Sequence, residues 1–118
     1  MVVEEFISGK PASCLITEDF RGEKTYAFPI IGNFSKEEKK GIEDSAKKIH
    51  NTLGLRHHSN SDFIVSPRRG LYFLETNTSP KFDKESHLLE AIESVGINFR
   101  DFIFHILHLA VYETGLWL

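Results

Sequence analysis

Apolar and polar positions alternate with a period of two in the first quarter of the chain and again near its middle. Elsewhere they recur with a helical period. Val2-Val3-Glu4-Glu5-Phe6-Ile7 is a short extended run stopped by Ser8-Gly9-Lys10-Pro11. Ser13 to Thr17 and Thr25 to Ile31 are two more such runs, joined through Arg21-Gly22-Glu23-Lys24, which supplies turn chemistry. Short connections between extended runs predict an antiparallel meander. Pro29 has no N–H to give a ladder, so the third strand is expected at an edge or bulged there. Asp62 to Val65 and Leu71 to Thr76 flank Ser66-Pro67-Arg68-Arg69-Gly70, which predicts a β-hairpin. Strict alternation along its second strand puts Tyr72, Leu74 and Thr76 on one face and Phe73, Glu75 and Asn77 on the other.

The helical stretches carry their own boundaries. Ser35-Lys36-Glu37-Glu38 is a capping box, in which serine and glutamate satisfy each other's backbone N–H. Ile42, Ala46, Ile49 and Leu53 then form one apolar stripe, with Lys39, Lys40, Lys47 and Lys48 off it as a solvated face. Gly54 stands where a left-handed C-terminal cap belongs. Glu85 to Val95 predicts a second helix with Leu88, Leu89, Ile92 and Val95 inward, ended by Gly96. Asn98 caps a third, whose stripe is Phe99, Phe102, Ile103, Ile106, Leu107 and Ala110. Phe104, Leu109 and Val111 make it apolar on other sides too, and such a helix wants partners on nearly every side. The expectation is one α+β domain over residues 1–118. It combines an antiparallel sheet, from three N-terminal strands and the 62–77 hairpin, with three backing helices.

Composition narrows the function classes. A chain of 118 residues, 41% hydrophobic and 26% charged, suits a single soluble globular domain. A net charge of −3 gives no basic field, so nucleic acid is not an expected partner. Cys14 is the single cysteine, which excludes an internal disulfide and fits a reducing compartment. There is no charged-then-apolar leader, and the most apolar stretch, Ile103 to Tyr112, is too short for a bilayer of about 30 Å. No membrane partner and a cytoplasmic location are therefore expected.

The hairpin carries the candidate chemistry. Asp62 opens its first strand and so lies opposite Glu75 to Asn77, which brings two carboxylates and an amide oxygen together. Hard oxygen donors of this kind suit Mg²⁺. The same residues equally fit polar strand ends facing water, and spacing does not separate the two. His57 and His58 are adjacent, so on a strand they face opposite ways and make a poor zinc pair. His105 and His108, one helical turn apart, fit core or boundary positions better than a metal site.

Phe73-Leu74-Glu75-Thr76-Asn77-Thr78-Ser79-Pro80 resembles the metal-binding strand of the ATP-grasp ligases, and D-alanine–D-alanine ligases most of all. Val3-Glu4-Glu5-Phe6-Ile7-Ser8-Gly9 resembles the adenine-binding hinge of the same enzymes. The similarity runs from Val3 to about Ala110 and corresponds to the C-terminal part of such a ligase. It implies that Asp62 holds one Mg²⁺, Glu75 bridges two, and Asn77 holds the second. It also implies an adenine seat made by Glu4, Glu5, Phe6 and Ile7, with the Glu5 carbonyl and Ile7 amide reading the base and Leu74 packing on the ring. Ser86 aligns with the serine that contacts the carboxylate of the second D-alanine. The implied reaction activates a carboxylate as an acyl phosphate for attack by an amine, with ATP and Mg²⁺, in the service of peptidoglycan synthesis.

Four positions depart from that pattern. Pro11 stands where the family has a ribose-binding glutamate. Asn60 stands where it has an arginine for the oxyanion, and losing one such donor typically costs about 10²–10³ in rate. Lys81 replaces a glycine whose amide joins the oxyanion hole, though it keeps an N–H. Pro29-Ile30-Ile31-Gly32 runs straight toward the next helix without the family's long phosphate-covering loop. The resemblance thus implies a lobe with remnant ATP and Mg²⁺ elements, inactive by itself. An alternative is a non-catalytic scaffold or interaction module that self-associates; the expected partners are a second copy, through the last helix and tail, or the missing ligase lobes.

Overall fold

The structure is a computed structural model, and it describes residues 9–67, 70–78 and 87–114, with backbone only at 112–114. In chain order the elements are β1 (Lys10–Phe20), β2 (Glu23–Ala27), α1 (Lys36–Thr52), β3 (His58–Ser66), β4 (Gly70–Asn77), α2 (Leu88–Ser94) and α3 (Phe99–Thr114). The strands form one antiparallel sheet in the order β2-β1-β3-β4. The α+β architecture expected from the chain is what forms, with two hairpins laid side by side. The extended run 2–7 and the residues Lys81 to Ser86 lie outside the described residues.

Pro11 falls inside β1, not ahead of it. β2 pairs with β1 only from Ile16 to Phe20, so among the described residues the first half of β1 has β3 as its sole strand neighbour. A missing N–H is tolerated on such a half-free strand. Pro29 acts earlier than expected: β2, an edge strand, ends at Ala27. The chain then leaves the sheet and sends Phe28 and Ile30 into opposite cores.

Those cores lie on the two faces of the sheet. Ala12, Cys14, Ile16, Phe63 and Val65 pack with Ile42 and Ala46 of α1 on one side. Leu15 and Phe28 pack with Leu88, Ala91, Ile92 and Phe102 of α2 and α3 on the other. Burial of the thiol in the first core pushes Cys14 well above the ordinary cysteine range, so it behaves as an inert small hydrophobe.

Helix α1 starts as its cap dictates, but the helices choose their buried faces differently from the expected stripes. Glu38 N–H donates to Ser35 Oγ at 3.0 Å, and Ser35 N–H donates to Glu38 Oε1 at 2.8 Å. Gly54 adopts φ +64° just past the helix, as a left-handed cap requires. The buried stripe of α1, however, is Ile42, Ala46 and His50, while Leu53 is 58% exposed. A polar residue takes the last core position because partners await it there. In α2 the buried face is Leu88, Ala91 and Ile92. Among the described side chains of α3 only Phe102 is fully buried, with Ile106 and Ala110 half-buried, whereas Phe99, Ile103 and Leu107 of the expected stripe are exposed. The helix meets the core along one narrow line, because α2 and the strand ends occupy the rest.

Candidate functional site

Three β3 residues, His58, Asn60 and Asp62, share the face that α2 and α3 cover. Cα partners across an antiparallel pair put their side chains on one face. Asp62 faces Glu75 and Asn60 faces Asn77, while Ser13 and Leu15 flank Asp62 and Asn60 from β1. The structure therefore brings Asp62, Glu75 and Asn77 to one face at the end of the hairpin. Alternation nevertheless fails at one point. Asp62 pairs with Glu75 but Phe63 pairs with Phe73, so Leu74 is an extra residue in a β-bulge. Phe73 consequently joins Thr76 on the α1 face, where its ring lies 5.8 Å from that of Phe63, and Tyr72 takes the face of Glu75 and Asn77.

Asp62 is half-buried and held from two sides. Its Oδ1 accepts the Ser13 hydroxyl at 2.7 Å and the Asn60 side-chain amide at 3.3 Å. Glu75 and Asn77 are exposed. Asn60 is only 6% exposed, and its Oδ1 has no hydrogen-bond partner. Among the described residues no three His, Cys, Asp or Glu side chains cluster for a metal. The donor set here is instead two carboxylates and amide oxygens, which fits a hard, water-retaining cation such as Mg²⁺ and not a zinc site.

Ser13 also lines a cleft of about 290 Å³ between the start of β1, the 29–34 segment and the head of α2. Lys10, Pro11, Asn33, Phe34 and His87 are in its wall. The Lys10 ammonium donates to the Asn33 carbonyl and stands 4.7 Å from the centre of the Phe34 ring. Sequence reasoning missed Ser13 and Lys10. The signal for Ser13 was its two-residue spacing from Leu15 on a strand, readable only once β1 and β3 are in register.

Leu74, expected against the base, is 54% exposed beside Glu75. Glu4, Glu5, Phe6, Ile7, Lys81 and Ser86 lie outside the described residues. The histidines do not assemble a metal site. His57 has φ +67°, its N–H donating to Glu18 Oε1 at 2.7 Å. His58 packs edge-on against Phe102, and burial, with His57 nearby, holds its pKa below the ordinary histidine range. His105 Nε2 bonds the Glu18 carbonyl at 2.7 Å, which makes it a boundary residue.

The opposite face of β3 holds a cluster that composition hid. His50 Nδ1 lies 2.7 Å from Ser59 Oγ, and His50 Nε2 lies 3.2 Å from Glu18 Oε2. A carboxylate only accepts, so Nε2 donates to Glu18 while Nδ1 shares a hydrogen bond with the serine hydroxyl, which can serve as either partner. Serine, histidine and glutamate in contact invite a nucleophile reading. Ser59 and His50 are both fully buried, however, so no substrate reaches them and the group is structural.

Comparison with known proteins identifies the family and the fold. Residues 17–108 match the family described as D-ala D-ala ligase C-terminus. A D-alanine--D-alanine ligase of Fusobacterium nucleatum is 38% identical over 84 residues, covering 70% of this chain and 28% of that protein. One from Desulfovibrio desulfuricans is 24% identical over 133 residues, covering 96% of this chain and 44% of that protein. The chain thus spans less than half the length of these relatives. Among solved structures, the D-alanine-D-alanine ligase of Coxiella burnetii superposes with a TM-score of 0.80 at 19% identity, covering 93% of this chain and 34% of that one. The Bacillus anthracis ligase complexed with ATP gives 0.77 at 18% identity, covering 98% and 42%. At such identities these likenesses establish the fold.

Proposed function

Because the chain belongs to the D-Ala D-Ala ligase C-terminus family and has the fold of that ATP-grasp lobe, we propose that it forms the metal-bearing wall of an ATP-dependent carboxylate–amine ligase site. The observation that carries this reading is Asp62 set opposite Glu75, with Asn77 on the same face and Asp62 already fixed by Ser13 and Asn60. In this reading Asp62, Glu75 and Asn77 hold two Mg²⁺. Glu4, Glu5, Phe6, Ile7 and Leu74 seat the base of ATP, while Asn60, Lys81 and Ser86 face the acyl centre. Divalent cations bound there supply charge neutralisation for phosphoryl transfer. The protein's part is to hold the two carboxylates opposite each other and in register.

Pro11 offers the ribose no acceptor, Asn60 offers the oxyanion no charge, and the 28–34 segment is too short to cover phosphates. This wall by itself therefore binds the cation, holds nucleotide weakly and turns nothing over. The opposing wall, from further segments or another chain, completes the site, in the cytoplasm where D-alanyl-D-alanine is made for peptidoglycan. Titration with Mn²⁺ followed by electron paramagnetic resonance tests the reading. Wild type is expected to bind, Asp62→Ala and Glu75→Ala to lose about tenfold or more in affinity, and D-alanine to stimulate no phosphate release from ATP. Identical titrations for all three proteins, or D-alanine-dependent turnover abolished by Glu75→Ala, would each sink part of it.

A second reading has its own observation. Phe99, Ile103, Phe104 and Leu107 are exposed on α3, with Phe104 at 57%. An apolar stripe of this kind suits pairing with a second copy, since one patch complements itself across a twofold axis. Light scattering across concentrations tests it: a dimer that Leu107→Glu dissociates supports it, and a monomer at high micromolar concentration ends it.

A further inference from the structure

Asn60 is buried, yet half of its amide is idle. Its Nδ2 donates to Asp62 Oδ1 at 3.3 Å, and this fixes the orientation of the group, because the reverse would set two acceptor oxygens against each other. Oδ1 is thus the atom left over. It is enclosed, since the residue is 6% exposed, and it has no partner. Folded proteins rarely leave such an atom unused.

Its surroundings narrow what the missing donor is. The register partners of Asn60 are Leu15, which has no polar side-chain atom, and the exposed Asn77. Among the described residues the other buried side-chain atom without a partner is His58 Nδ1, two residues along the same face of β3. Both unpaired atoms therefore lie on the face of β3 that carries Asp62, with Asn60 bonded to that carboxylate and His58 two positions further along the strand. A donor that arrives there from outside the protein fits both facts. Water bound to a divalent cation is such a donor: its lone pair is on the metal, so both its hydrogens need acceptors.

We propose that Asn60 is a positioning residue for the cation site. It fastens Asp62 through Nδ2 and accepts a hydrogen bond from a cation-bound water through Oδ1. The inference rests on the metal-binding reading above and adds to it a role for a residue that is not itself a metal ligand. Outer partners of this type are worth about 10–100-fold in metal affinity.

The test uses the full chain with Mn²⁺ and Mg²⁺ alone as probes. Asn60→Leu should weaken Mn²⁺ binding about tenfold, while the number of metal-bound waters stays the same and oxygen-17 relaxation shows them exchanging faster. Asn60→Asp, which keeps the acceptor, should bind more tightly than Asn60→Leu. In wild type, saturation with Mg²⁺ should move the Asn60 carbonyl carbon-13 signal downfield, a readout independent of whether any variant folds. Loss of binding in Asp62→Ala with no change in Asn60→Leu overturns the inference and leaves the metal reading standing. One extra bound water in Asn60→Leu also overturns it, since Asn60 would then be a direct ligand. No binding by wild type ends both, and an unmoved Asn60 signal under saturating Mg²⁺ ends the inference alone.

Discussion

On the α1 side of β3, Ser59 and Ser61 are fully buried and each has found its complement: Ser59 meets His50, which meets Glu18, and the Ser61 hydroxyl donates to Thr76 at 3.0 Å. On the side covered by α2 and α3, His58, Asn60 and Asp62 sit at the alternate positions, and two of the three keep a buried atom unpaired. One strand thus carries a closed polar network on one face and an open one on the other. A closed network is worth its full set of hydrogen bonds to the fold. An open one leaves some of that stability unrealised. Chemistry alone does not reveal the difference, since the closed side holds the serine, histidine and glutamate that look catalytic.

Breaking the closed side should cost most. His50→Leu leaves the Ser59 hydroxyl and the Glu18 carboxylate without their shared partner, and should lower unfolding stability by about 3 kcal/mol in urea titrations. Asn60→Leu, on the open side, should cost under about 1 kcal/mol, because the change removes an unpaired atom along with one weak bond. Equal losses from the two variants would erase the contrast. Glu18→Gln should cost about 2 kcal/mol, since Glu18 serves both His50 and the strained N–H of His57. Thr76→Val sharpens the comparison at the strand's far side. It deletes the Ser61 bond without changing shape and should cost about 1 kcal/mol by the same assay.

The smallest effect is a pH dependence from the open face. Burial depresses the folded pKa of His58 below its unfolded value, so between the two the unfolded chain binds more protons. The stability held by neutral His58 is complete above the unfolded pKa, about 6.5, and is lost as pH falls through it toward the folded value. His58→Gln should flatten that portion of a stability–pH curve measured from pH 8 to 5. A curve unchanged by the substitution would remove His58 from this account.

Much of this architecture is legible in the residues. The capping box at Ser35, the left-handed Gly54, the turn at Arg21-Gly22 and the 62–77 hairpin each obey a rule that acts over a few residues. The meeting of Asp62 with Glu75 and Asn77 follows from hairpin register to within one residue: unbroken pairing from Gly70 would set Asp62 against Leu74, and the bulge moves Glu75 into its place. Features that depend on distant partners were not legible. His50 resembles a solvated helix residue until Glu18, 32 positions earlier, and Ser59 are folded against it. The inward line of α3 is chosen by where Phe28 and His58 stand, which no helical period encodes. A two-residue period likewise cannot detect an inserted residue, and that is why Phe73 and Tyr72 were assigned to each other's faces.

That inserted residue gives the strand an unusual freedom. Removing Leu74 on paper leaves Phe73 opposite Phe63 and Glu75 opposite Asp62, with every other side chain on the face it already occupies. Leu74 is therefore a guest in the ladder, a side chain whose identity, and even presence, is uncoupled from the frame that aligns the carboxylates. Descent with modification can change the side chain at this spot while the acidic pair stays in place. Asp62 and Glu75 differ in this respect, because each is a direct partner of the other across the hairpin.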